Sequence, residues 1–152
     1  PVEEESLAMR TMLREPLVMV LPAEHPLSER VDLSLSALKD EPFVMTPRRL
    51  GPSFYDQIIG ACREAGFSPR VVQEAIQMQT IIGMVAAGIG VALVPASESN
   101  LTRKGVVYKQ MQDEGLEVEL AIAWEPEDPS PTLRAFLKIV EETSDKAALR
   151  GM

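Results

Sequence analysis

The chain has 152 residues, 45% of them hydrophobic and 25% charged, a balance that is typical of a globular fold and excludes global disorder. Its formal net charge of −8 argues against a surface that holds DNA or an anionic membrane by itself. A single cysteine allows no disulfide within the chain, which favours a reducing, cytoplasmic location.

The first strands are predicted from apolar runs that end at prolines. Residues 17–21 are continuously apolar and stop at Pro22, a pattern that is typical of a strand buried on both faces. Residues 34–39 predict a short helical turn. Residues 42–45 predict a second strand, which stops before Pro47.

The first helix is predicted to follow the loop 46–53. Ser53 is placed as its N-cap, with Asp56 at the spacing of a capping box, and Gly66 is placed as the glycine that ends the helix. The apolar side chains of this segment recur at helical spacing: Phe54, Ile58, Ile59, Cys62 and Ala65.

The same alternation continues through the middle of the chain. A third strand is predicted at 70–74, a second helix at 78–87 closed by Gly88, and a fourth strand at 90–94 stopped by Pro95. Because strands and helices alternate, the sequence favours an α/β fold with a mainly parallel, doubly wound sheet.

The remaining residues predict two further strands and a last helix. The strands are placed at 106–108 and 117–124. A loop rich in proline follows, and the helix opens at Pro131 or Thr132 and runs to about residue 143.

Ligands of open α/β sheets bind beyond the carboxyl ends of the parallel strands. Three predicted loops follow such ends, at 46–53, 76–80 and 95–97, and they share one edge if their strands are parallel neighbours. The candidate ligand-binding residues on these loops are Thr46, Pro47, Arg48, Arg49, Gly51, Pro52, Ser53, Gln79, Thr80, Pro95, Ala96 and Ser97.

The first loop carries the chemistry of a receptor for a small carboxylate. Arg48 and Arg49 supply planar donors that suit a carboxylate, and a helix N-terminus follows with unpaired N–H groups. The alternative interpretation is a solvated loop whose arginines pair with surface acids. For Gln79 and Thr80 the alternative is helix capping, and for residues 95–97 it is a simple strand-ending turn.

Motifs for other chemistries are missing from the sequence. No Cys/His cluster has metal-ligand spacing, and the glycine-rich phosphate loops and the nucleophile elbow are absent. His25 lies in a turn between prolines without an evident partner for base catalysis, and Cys62 falls on an apolar helix stripe. We therefore predict no enzyme, no metal and no cofactor.

Three segments resemble one known family. Residues 15–27 (EPLVMVLPAEHPL) are similar to the segment in which LysR-type effector domains cross between their two lobes. Residues 40–48 resemble the strand that opens the second lobe, and residues 77–97 resemble the family's most recognisable stretch. The resemblance extends from about residue 13 to residue 137. Residues 49–55 and 105–108 are similar to the subgroup that senses aromatic compounds and their ring-cleavage acids.

The resemblance implies a type 2 periplasmic-binding-protein fold of two Rossmann-like α/β lobes with an effector cleft between them. It places the second lobe at 22–95 and part of the first lobe at 1–21 and 96–152, so that the first lobe is incomplete. It also implies that a winged helix-turn-helix, which precedes the effector domain in this family, binds DNA, and that the effector domains associate as dimers or tetramers.

The resemblance thus predicts a domain that senses a small aromatic or dicarboxylic acid for a transcription regulator. Two alternatives share the fold. One is a solute-binding protein of a transport system, which an upstream secretory signal would reveal. The other is an enzyme acting on a small acid, for which Thr80 is the candidate proton donor.

Overall fold

The computed structural model describes residues 6–101, 103–113, 115–127 and 130–150, with side chains described up to residue 142. The chain forms two compact units. Unit 1 contains Pro1–Arg14 and Glu119–Met152, and unit 2 contains Glu15–Val118. Unit 2 is wider than the lobe predicted at 22–95.

The elements alternate as an α/β protein does. The strands are β1 (Ala8–Pro22), β2 (Pro42–Met45), β3 (Arg70–Glu74), β4 (Ala92–Pro95), β5 (Val106–Lys109) and β6 (Glu117–Trp124). The helices are α1 (Pro52–Glu64), α2 (Met78–Ala86) and α3 (Pro131–Arg150). Two short 3₁₀ turns lie at Leu35–Leu38 and Ala96–Asn100, and the second is called the 96–100 turn below.

Parallel pairing joins β2, β3 and β4. β2 and β3 are parallel neighbours, and Met45 lies opposite Glu74. Phe43 of β2 also forms an isolated parallel bridge with Val91, the residue just before β4, where the Val91 N–H donates to the carbonyl of Pro42 at 2.8 Å. The long strand β1, in contrast, runs antiparallel to both β4 and β5 in a four-stranded sheet, whereas β2 and β3 form a separate two-stranded parallel sheet, so the strand pairing of the fold is mixed.

Both faces of this sheet are buried in unit 2. Alternate residues of β1 point to opposite faces, as the geometry of a strand requires. Met19 and Leu21 join a cluster with Ile58 and Cys62 of α1. The other cluster, on α2, contains Val18, Val20, Val44, Ile81, Ile82, Val85, Ala92 and Val94. The continuous apolar run of β1 is thus explained by two apolar layers.

Glycines end both helices of unit 2. Gly66 and Gly88 follow the last helical turns with φ of +88° and +75°, a conformation that glycine adopts without steric cost. After α1, the Phe67 N–H donates to the Cys62 carbonyl at 3.0 Å, which is the bond expected of a Schellman ending. The predicted role of Gly66 is confirmed.

The predicted start of α1 was wrong. Gly51, not Ser53, is the N-cap, and no side chain caps the helix. Pro52 opens the helix because its fixed φ and missing N–H suit the first helical position. Asp56 is consequently not part of a capping box.

Unit 1 contains residues 8–14 of β1, residues 119–124 of β6, and α3. Ion pairs join its elements: Arg10 Nη1 lies 2.6 Å from Glu141 Oε1, and Arg14 Nε lies 2.5 Å from Glu119 Oε1. Throughout the part of the chain that the structure describes, no helix has the length and apolarity needed to span a bilayer.

Candidate functional site

The carboxyl ends of β2, β3 and β4 lie at the same edge of the sheet, here called the carboxyl edge. Parallel pairing of β2 with β3 fixes this, and the Ala75 N–H donates to the Met45 carbonyl at 3.0 Å just beyond the strands. The parallel bridge of Phe43 with Val91 orients β4 in the same direction. The loops 46–53, 76–80 and 95–97 therefore leave the sheet on one side.

Thr46 is the first residue after β2 and is half-buried, but its hydroxyl oxygen Oγ1 is fully buried. This oxygen has no hydrogen-bond partner among the described residues. The methyl carbon Cγ2 of Thr46 lies 3.9 Å from the position that a Cβ atom at Gly51 would take, so Thr46 sits beside the start of α1. A buried hydroxyl without a partner is uncommon in folded proteins, because it loses its hydrogen bond to water.

The two arginines of this loop differ in their surroundings. Arg48 binds Asp56 with two hydrogen bonds, from Nε to Oδ1 and from Nη2 to Oδ2, both 2.7 Å long. The hydrogen bond from Arg48 holds the pKa of the Asp56 carboxyl below its usual range. Arg49 is exposed and has no ion pair or hydrogen bond within the described ranges. Arg48 is thus engaged with a surface acid, as the alternative interpretation of this loop described.

The remaining residues of the first loop shape the start of α1. The Leu50 N–H donates to the Pro47 carbonyl at 3.0 Å, which closes a turn. The first helical bond runs from the Tyr55 N–H to the Gly51 carbonyl at 2.9 Å. The N–H groups of Ser53 and Phe54 precede that bond, and they are the groups that a helix start leaves for outside acceptors.

A side-chain hydrogen bond connects the second loop to the residue that follows the third loop. Gln79 Nε2 donates to Glu98 Oε2 at 2.6 Å. Gln79 and the exposed Thr80 line an open concavity of about 510 Å³ on α2. Its other lining residues are Gly83, Met84, Ala87, Ile89 and Arg103.

The third loop is bound by a residue that the sequence reasoning missed. Glu15 of β1 accepts two hydrogen bonds from Ser97, one from its N–H at 2.6 Å and one from its hydroxyl at 3.0 Å. Pro95 lies within the sheet opposite Leu17, and Ala96 lines a second concavity, of about 560 Å³. Because Glu15 and Ser97 lie far apart in the sequence, no local pattern indicates their contact.

His25 has structural contacts. Its Nδ1 accepts a hydrogen bond from the Leu27 N–H at 3.2 Å, and its Nε2 lies 3.3 Å from Glu41 Oε2. The described residues contain no group of His, Cys, Asp and Glu side chains that could hold a metal ion.

Cys62 should be unreactive in the folded protein. Its side chain is fully buried, and burial raises the pKa of the thiol from an ordinary value of 9.0 to about 11. Since the thiolate is the reactive form, we expect iodoacetamide to label Cys62 at pH 8 only after unfolding. Because the pKa is higher in the folded state, the neutral thiol contributes to the free energy of unfolding. This contribution is complete below pH 9 and is lost as the pH rises through about 11.

Mass spectrometry of the chain in buffer and in urea measures this protection. Labelling in buffer at the rate seen in urea would contradict it.

Comparison with protein families gives a match that covers most of the chain. Residues 1–145 match the family described as "LysR substrate binding domain". Among curated proteins, the chain is 43% identical over 141 residues to the HTH-type transcriptional regulator IlvR of Caulobacter vibrioides, covering 90% of the chain and 45% of IlvR. It is 34% identical over 139 residues to the HTH-type transcriptional regulator AlsR of Bacillus subtilis, covering 91% of the chain and 46% of AlsR. The chain thus spans about half the length of these relatives.

A solved structure shows the same fold. The BenM effector binding domain with its effector benzoate superposes with a TM-score of 0.82, covering 97% of this chain and 68% of that chain at 21% sequence identity. The predicted α/β fold, that of LysR effector-binding domains with their periplasmic-binding-protein-like architecture, is confirmed.

Proposed function

Because this chain belongs to the LysR substrate binding domain family, we propose that it is the effector-sensing part of a DNA-binding transcription regulator. Its relatives are named transcriptional regulators, and none of the comparisons favours the transport protein or the enzyme as an alternative. The proposal includes DNA binding through a winged helix-turn-helix outside this sequence, association of effector domains as dimers or tetramers, and action in the cytoplasm.

The proposed effector is a small aromatic or dicarboxylic acid that binds at the carboxyl edge. The hydroxyl of Thr46 carries this proposal, because it is buried without a partner beside the start of α1. We expect the carboxylate of the effector to accept hydrogen bonds from the Thr46 hydroxyl and from the free N–H groups of the first turn of α1. The partial positive charge of a helix N-terminus favours the same anion.

The arginines supply a second contribution. Arg49 is exposed and carries no ion pair within the described residues, so it is available to a carboxylate from solution. Arg48 is bound to Asp56, and an effector that uses Arg48 must displace that carboxylate. We therefore propose that Arg49 is the main residue that binds the negative charge of the effector. Arg48 can bind the effector only if its hydrogen bonds to Asp56 are broken. Benzoate, the effector named with the BenM domain, belongs to the proposed chemical class.

Removing the Thr46 hydroxyl should weaken binding of the acid. Thr46→Val keeps the shape of the side chain but loses one hydrogen bond to a charged group, which contributes about 1.5 kcal/mol or somewhat more. We expect about a tenfold rise in Kd for an acid that binds the unchanged chain. The folded state should not be destabilised, because the substitution removes a buried polar group without a partner.

Thermal shift followed by calorimetry with benzoate and cis,cis-muconate tests this. An acid at 100 times its Kd adds about 2.7 kcal/mol of apparent stability. Thr11→Val, at an exposed threonine of unit 1, serves as the control and should leave the Kd unchanged. Unaltered affinity in Thr46→Val would remove Thr46 from the site. The absence of any shift with both acids would reject this effector class.

A further inference from the structure

Gly83 of α2 forms a notch in the helix surface that Arg103 fills. A Cβ atom at Gly83 would lie 2.8 Å from Arg103 Nη2 and 3.3 Å from Arg103 Cζ. Both distances are shorter than ordinary contacts, so the guanidinium rests against the bare backbone of the helix. Any side chain at position 83 would have to displace it.

From this notch Arg103 reaches the first turn of α2. Its Nη1 donates to the backbone carbonyl of Gln79 at 3.3 Å. The side chain of Gln79 in turn donates from Nε2 to Glu98 Oε2 at 2.6 Å, which joins α2 to the 96–100 turn. Arg103, Gln79 and Glu98 therefore form one chain of contacts within unit 2.

The same contacts hold two of the proposed effector loops in one arrangement. Gln79 lies on the second loop, and Glu98 directly follows Ser97 of the third. The guanidinium of Arg103 and the carboxylate of Glu98 carry opposite charges at the two ends of this chain, and the neutral amide of Gln79 lies between them.

We propose that Arg103 is a positioning residue, which uses the notch at Gly83 to fix Gln79 and, through Gln79, Glu98 at the carboxyl edge. The purpose of this positioning rests on the proposed function, since Arg103 fixes two of the proposed effector loops. The arrangement itself requires no effector. Arg103 acts on the site through Gln79 and is not assigned a contact with the effector.

A double-mutant cycle tests whether the guanidinium occupies the notch. Gly83→Ala should improve the helix, because alanine is the better helix former, but it should also expel Arg103. In the unchanged chain we expect these effects to oppose each other, so that the urea midpoint falls or stays the same. In the Arg103→Ala background nothing is expelled, and Gly83→Ala should raise the midpoint.

Gly60→Ala in α1 is the matched control. Nothing lies within 4 Å of a Cβ atom built at Gly60, so this substitution should raise the midpoint equally in the unchanged chain and in the Arg103→Ala background. If Gly83→Ala behaves in the same additive way as Gly60→Ala, Arg103 does not occupy the notch and the proposal fails.

The side-chain amide resonances of Gln79 report positioning directly. In ¹⁵N–¹H spectra of the 152-residue chain, both Arg103→Ala and Gly83→Ala should move the two Gln79 Nε2–H signals toward the values of a free glutamine. Arg103→Lys keeps a donor and the charge but lacks the planar fork, so it should move them less. Signals that stay in place in Arg103→Ala would overturn the proposal.

These measurements contain no effector, so they succeed or fail independently of the effector class. A shifted Gln79 signal together with an absent response to benzoate and muconate would leave the positioning role intact and reject the proposed effector. The reverse result would reject Arg103 and retain the effector.

Discussion

Gly90→Ala is expected to destabilise the chain by about 3 kcal/mol, because overpacking against rigid backbone is not relieved by a side-chain movement. A Cβ atom at Gly90 would lie 2.3 Å from the carbonyl oxygen of Pro42 and 3.0 Å from its carbonyl carbon. That oxygen also accepts the hydrogen bond from the Val91 N–H, which connects β2 to β4. Relief of the clash would therefore separate β2 from β4, two of the three strands whose ends form the carboxyl edge.

Urea unfolding followed by far-UV circular dichroism measures this loss. Gly60→Ala is the control, since position 60 has open space around a new Cβ atom and lies inside α1. That variant should gain up to about 1 kcal/mol from helix propensity. Equal midpoints for the two variants would show that β2 and β4 do not approach each other as described.

Phe43→Ala is expected to cost about 3–5 kcal/mol, the range for truncation of a buried aromatic side chain. Phe43 is fully buried in β2, and its ring centroid lies 6.1 Å from that of Phe67 in a tilted arrangement. The substitution removes apolar contact area and leaves a cavity between the sheet and α1. Because total stabilities are about 5–15 kcal/mol, much of the variant should be unfolded at low urea concentrations.

The control for this variant is Phe136→Ala in α3. The side chain of Phe136 is 51% exposed, so its truncation should change the free energy of unfolding by about 0.5 kcal/mol. The urea midpoints of the two variants give their free energies of unfolding, if the dependence of that free energy on urea concentration has the same slope in both. A loss at position 43 as small as that at position 136 would contradict the described core.

Local sequence patterns were sufficient to predict the positions of most helices and strands of unit 2. Apolar runs that stop at prolines located β2 and β4, and glycines located the ends of α1 and α2. β1 begins at Ala8, well before the predicted residue 17. Its first half mixes apolar residues (Ala8, Met9, Met12 and Leu13) with polar ones and lacks a strict alternation of period two, so no apolar pattern marks it as a strand.

Long-range geometry explains what the sequence could not predict. The antiparallel direction of β1 depends on pairing with β4 and β5, which lie far along the chain. That the three loops share one edge could be predicted, because parallel strands place their carboxyl ends on the same side of a sheet. The hydrogen bonds that Ser97 donates to Glu15 and that Gln79 donates to Glu98 could not be predicted, because they join polar groups far apart in the sequence without any spacing rule. The pairing of Arg48 with Asp56 was foreseen only as a general alternative.

The alternation of β1 between two apolar layers has an evolutionary consequence. Val18 and Met19 are adjacent in the sequence, yet their side chains pack in clusters with different helices, Val18 with α2 and Met19 with α1. A change of size at Met19 calls for compensation near Cys62, whereas a change at Val18 calls for it near Val85. Adjacent residues of β1 should therefore vary independently of each other among homologous sequences. Each should instead vary together with the helix residues it packs against, which lie dozens of positions away in the sequence.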